Sequence, residues 1–368
     1  MKRHLEADMV AVVSDEQQPP LPLPVPIVPH HHPWVVCIKY HNEKTAHGYA
    51  FDELKSAIQK CIRRSQTDYA AWFYMEAETF GEKYLLPPDE LRTGEHLRTN
   101  LIHRLMIIYL EDIGPANPRL WPILDILISH MLEWRHIPDR RAEVLGLGVS
   151  AVQHMAQSLH SRQWDHFQTA INKIDDHREP DFEMLSEIAR FQREPRDFFG
   201  SLEQALLAKS LASFYFAHHI CEGELIKRKR PIRILIDFLS QWSQAYGPIA
   251  LRWYKELGTL KEQFLIPMFL ISDIIGLNNA TPQSIVYDTC PNYVMEKHLR
   301  GPTRPIPDCA LDVHTRRGKG LGKKREDFAT SGALVTQEWE GTMAKYKNVY
   351  NNSKLVPHFW KPTPVVIV

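Results

Sequence analysis

Apolar residues recur at three- and four-residue spacings from Phe51 to Ile275, and nothing in that span alternates with period two. A segment of this kind buries a stripe on each helix, not one face of a sheet. Phe51, Leu54, Ile58, Cys61 and Ile62 set the first such stripe, with Asp52, Glu53, Lys55, Lys60, Arg63 and Arg64 on the opposite face. Further patterns run over 67–80, 97–113, 121–134, 140–160, 164–174, 181–191, 202–220, 232–246 and 251–275, the last kinked or split at Pro267. The predicted fold is therefore all-α, with a multi-helix body over 50–277. The most apolar run, Phe264 to Leu277, contains Pro267 and Asp273 and is too short to span a membrane.

Two less regular regions flank the body. Residues 1–49 hold a Pro-rich tail, dense in Pro from Pro19 to Pro33, then a short extended segment, Trp34–Tyr40. The tail reads as a semi-rigid linker or a docking motif. His30, His31 and His32 sit in it with too little geometry for a metal. From residue 278 to 368 the chain reads as an irregular basic arm ending in Val365-Val366-Ile367-Val368.

Lys+Arg and Asp+Glu are both 44, so any attraction to nucleic acid has to come from a local patch. The five cysteines are odd in number and include no CxxC, which fits a reducing, intracellular compartment, nuclear or cytoplasmic. No phosphate-binding GxxxxGK[ST] loop and no nucleophile–base constellation is present, so the chain reads as non-enzymatic, with no cofactor. Cys290, His298, Cys309 and His314 lack the tight Cys pair of a structural zinc site, and His218-His219-x-Cys221 lacks the four-residue ligand spacing, so no metal is expected from either set.

The stretch Leu97–Pro118 (LRTNLIHRLMIIYLEDIGPANP) carries a helix into a sharp stop at Gly114-Pro115. Glu111 and Asp112 are adjacent and point about 100° apart on a helix, so they do not converge on one ion. With Arg104 and Gly114 they form a predicted structural junction, in which an acid pairs with an Arg such as Arg104. The better candidate for binding is Val313–Arg325 (VHTRRGKGLGKKR), with six basic residues and no acid. Arg316, Arg317, Lys319, Lys323, Lys324 and Arg325 would hold DNA phosphates, with His314 and Thr315 adding hydrogen bonds. Gly318, Gly320 and Gly322 would let the backbone approach closely. A solvated loop or a nuclear import signal has the same composition. Lys227, Arg228, Lys229, Arg230 and Arg233 form a second basic cluster.

Three blocks in order carry a family resemblance. Ser56, Arg63, Arg64, Ser65 and Asp68 form the first, and Ala70, Ala71, Trp72 and Met75 the second. The third is Arg104, Glu111, Asp112, Ile113, Gly114, Ala116, Asn117 and Pro118. Over 51–118 this resembles the helical collar region C-terminal to the ATPase core in the MgsA/RarA and Werner-helicase-interacting family of clamp-loader-like AAA+ proteins. The ATPase half has no counterpart here. The resemblance implies a clamp-loader-like fold, self-association up to a tetramer, and partners in DNA replication or recombination. It does not imply ATP hydrolysis. The block Asp312–Phe328 also resembles blocks in replication-linked proteins of large DNA viruses. An alternative is a structural or protein-interaction scaffold, viral included, with no direct role on nucleic acid.

Overall fold

A computed structural model describes residues 44–45, 47–83, 88–162, 164, 182–192, 197–222, 231–258, 264–279, 295–336 and 338–339. The Pro-rich tail, Trp34–Tyr40, Lys227–Arg230, Cys290, the end of the 164–174 pattern and the C-terminal Val365–Val368 lie outside these residues.

The fold is all-α. Among the described residues there is no strand, and only two isolated bridges, Lys44 with Ala50 and His160 with Glu338. The main helices are α1 (Phe51–Arg63), α2 (Thr67–Lys83), α3 (Pro88–Asp112), α4 (Leu120–Trp134) and α5 (Arg141–Gln157). They continue as α6 (Phe182–Phe191), α7 (Phe198–Leu207), α8 (Ala212–Glu222), α9 (Pro231–Ser240), α10 (Gly247–Leu257) and α11 (Leu265–Ile275). Three short ones follow: α12 (Met295–Leu299), α13 (Arg316–Gly320) and α14 (Arg325–Asp327). Helices α1, α2, α3 and α5 pack together, α4 lies on α5, and α7–α11 form the second half, joined through α11 to α3. One buried apolar cluster runs through both halves.

Several helix limits depart from the sequence periodicity for local reasons. α3 begins at Pro88, not near Leu97; a proline at the first helical position loses no hydrogen bond. The 202–220 pattern is two helices. Lys209 adopts φ +52, and the Ser210 hydroxyl receives the Ala212 amide, which starts α8 in a new direction. The 251–275 pattern breaks after Leu257, and Pro267 sits in the first turn of α11, where its missing N–H costs nothing.

The largest difference concerns residues 295–339. The sequence reads as an irregular arm there, but α12 packs on α2 and the residues from Asp308 onward lie along α1. Lys60, Arg63 and Glu53, predicted to face solvent, are 3%, 2% and 5% exposed. The Ser56 hydroxyl donates to Ala310 O at 2.7 Å, and Thr336 N donates to Arg63 O at 2.7 Å.

Candidate nucleic-acid interface and the charged core beneath it

The predicted junction is a buried charge network. Asp112 ends α3 fully buried. Its Oδ1 receives Arg63 Nε at 2.8 Å and lies 3.6 Å from Arg162 Nε. Gln59 Nε2 donates to Asp112 Oδ2 and to Glu111 Oε2, both at 2.8 Å. The two carboxylates therefore do converge, on one amide, because Gln59 comes from another helix and spans the gap between them. The predicted acid–Arg104 pair is not what forms. Arg104 donates to Gln59 Oε1, and the guanidinium that meets Asp112 comes from α1.

Burial raises the Asp112 carboxyl, but Arg63 and Arg162 outweigh it and hold it below its ordinary value. Gly114 follows with φ +38, and an added Cβ would stand 3.3 Å from the Trp164 indole nitrogen. The positive φ favours glycine, and the close indole leaves a side chain little room.

The C-terminal segment closes over this network. Arg63 Nη1 donates to Gly332 O at 2.8 Å and Arg162 Nη1 to Ala333 O at 3.3 Å. Lys60 Nζ meets Asp312 Oδ2 at 2.7 Å, with both side chains buried. Burial lowers the Lys60 ammonium to about 8, Arg63 adds to this, and Asp312 opposes it. The Phe328 ring is surrounded by cations: Lys60 at 5.4 Å, Arg162 at 5.6 Å and Arg63 at 5.9 Å. His314 meets the same ring edge-on at 4.9 Å.

On this base sits the basic segment. Thr315 is buried. Its hydroxyl receives the Gly318 amide at 3.1 Å and so caps α13. Gly318 is used inside the protein, since a Cβ there would lie 2.0 Å from Asp312 O. It is therefore not open to a phosphate chain, whereas Gly320 has free space around it. Arg316 meets Asp52 at 3.4 Å, and Lys323 meets Asp308 at 2.8 Å. Arg317, Lys319, Lys324 and Arg325 are exposed and make no ion pair among the described residues. Of the eight predicted binding residues, Thr315 is thus structural. Arg316 and Lys323 are neutralised in part, His314 packs on Phe328, and four cations remain as a ridge.

The residues missed by sequence reasoning are Gln59, Lys60, Arg63, Arg162 and Phe328. The signal for Lys60 and Arg63 was present, but an amphipathic helix looks the same whether its polar face meets water or a covering segment. His298 meets neither Cys309 nor His314 as a ligand set; it lies with His47 and Glu76. Compared with known families, curated proteins and solved structures, the chain matches no family model, no curated protein and no solved structure.

Proposed function

We propose that the ridge of Arg317, Lys319, Lys324 and Arg325 binds DNA phosphates, and that the helical body is a non-enzymatic accessory of DNA replication or recombination that self-associates. The observation carrying the reading is that these four cations are exposed, without acid partners among the described residues, on a segment tied to α1. Cations held in place lose less freedom on binding than cations on a loose tail. The replication context comes from the collar-like motif order. Its first and third blocks are in contact, through Arg63 and Asp112.

Binding of a DNA duplex, followed by fluorescence anisotropy between about 50 and 200 mM salt, tests the ridge. Each phosphate contact adds about 0.9 to the slope of log affinity against log salt. Replacing the four residues with Ala is expected to lower that slope by about 3–4 and to weaken binding about 10²-fold at the low-salt end. All four are exposed, so helicity by circular dichroism should not change. Wild type that fails to bind at low salt, or a variant with the wild-type slope, removes the assignment and leaves the scaffold reading. Sedimentation of the same samples tests assembly. An oligomer up to a tetramer is expected, and a strict monomer at high concentration removes the self-association.

A further inference from the structure

Away from the ridge, three parts of the chain bring together His47, from the segment before α1, Glu76 in the middle of α2, and His298 in α12. Their ligand-type atoms all lie within 4.8 Å of one another. His47 Nδ1 is 2.7 Å and His298 Nε2 is 2.8 Å from the same oxygen, Glu76 Oε2. Glu76 is fully buried and His298 nearly so. The Trp72 ring covers the group, 5.0 Å from the His298 ring and 6.3 Å from the His47 ring.

Counting protons shows what the cluster needs. The other nitrogen of His47, Nε2, is 3.2 Å from Leu299 O, an acceptor, so that nitrogen carries a proton. A neutral imidazole has only one N–H. The Nδ1 lone pair then faces a carboxylate oxygen at 2.7 Å, and only a cation between them removes the repulsion. That cation is either a second proton, on the ring or on the carboxyl, or a metal ion. Two features favour the metal. A ring N–H donated to a backbone carbonyl is the usual outer support of a metal-ligating His. The second Glu76 oxygen, Oε1, is buried and has no hydrogen-bond partner at bonding geometry.

We propose that His47, Glu76 and His298 bind one divalent transition-metal ion, with zinc the best match to two imidazoles and a carboxylate. His47 is the least buried of the three, 12% exposed, so a water molecule can complete the fourth position. The nitrogens need only part from the oxygen to about 3.3 Å for tetrahedral ligation. The ion would fasten α12 and the segment after it to α2.

The test is uptake of zinc and cobalt(II) by the metal-stripped full chain. One equivalent is expected above the background of the other histidines, His30–His32 included. Cobalt should show the visible absorption of a tetrahedral site. Zinc should raise the melting temperature, and a chelator should reverse the rise. Loss of an outer support costs about 10–100-fold in affinity, so His298→Ala is expected to weaken zinc at least about 100-fold. His47→Ala is the second variant. It lies outside the helices, and circular dichroism reports that the fold is kept. If the wild type takes up no more metal than the His47→Ala/His298→Ala double variant, the proposal is overturned and the cluster is a protonated ion pair.

Discussion

Asp112→Asn is expected to destabilise the protein by about 3–5 kcal/mol, a large share of the ~5–15 kcal/mol of a typical folded protein. The substitution keeps the shape and can keep the Gln59 bond. It removes the negative charge that Arg63 and Arg162 share at 2.8 and 3.6 Å, and both guanidiniums are buried. An unpaired buried cation costs far more than the pair itself contributes. Glu111 cannot replace it, being 3.9 Å from Arg63 and about a quarter exposed. Glu111→Gln should accordingly cost under about 1 kcal/mol. Urea unfolding of the two variants checks the contrast. Equal midpoints would mean that the network does not carry the stability assigned to it.

The pH dependence has a fixed sign. The Asp112 pKa is lower in the folded state than in the unfolded chain. Its contribution is therefore present above the ordinary carboxylate value of about 3.9 and is lost as pH falls through the depressed folded value. Asp52 and Glu76 are also lowered and act in the same direction. Wild type should lose stability steeply below about pH 4, and Asp112→Asn should show a shallower loss there.

Trp121→Ala is expected to cost a further about 3–5 kcal/mol, for a reason of packing and not of charge. Trp121 is fully buried where the two halves of the body meet. Phe269 lies 4.4 Å from its ring centre, edge to face, with Trp253 at 5.5 Å, Tyr246 stacked at 5.7 Å and Tyr109 at 6.1 Å. These neighbours come from α3, α10, α11 and the turn before α10, so none can collapse into the space without moving a helix. Trp121→Phe should cost much less, about 1.5 kcal/mol or under. The indole N–H it deletes has no hydrogen-bond partner, so its loss removes a penalty. Thermal and denaturant melts of both variants check this. An alanine variant as stable as the phenylalanine one would show that the cavity closes.

Helical class and most element positions were legible because an apolar stripe at 3.6-residue spacing is a local property. The Gly114-Pro115 stop was legible for the same reason. Apolar periodicity does not by itself decide burial: Trp121 and Trp253 are buried, whereas Trp242, within the 232–246 pattern, is 37% exposed. The partners of Asp112 were not legible. Arg63 precedes it by 49 residues, and no local rule chooses Arg63 over Arg104. The polar face of α1 was misread as solvated because its cover comes from residues 310–336. His47, Glu76 and His298 raise no motif, since their spacings of 29 and 222 residues come only from the fold.

The laying of residues 310–336 along α1 also bears on how the chain is made. α1 leaves the ribosome well before its partner segment, which emerges more than 240 residues later. Until then Lys60 and Arg63 can stay hydrated at little cost, because nothing has yet drawn them out of water. The apolar side of α1 can pack on α2 and α5 at once. The charged side can only be sealed once residues 310–336 have emerged, by closing a long loop. A nascent chain would thus hold packed apolar helices with an open ionic seam, and the seam would shut only when that later segment arrives.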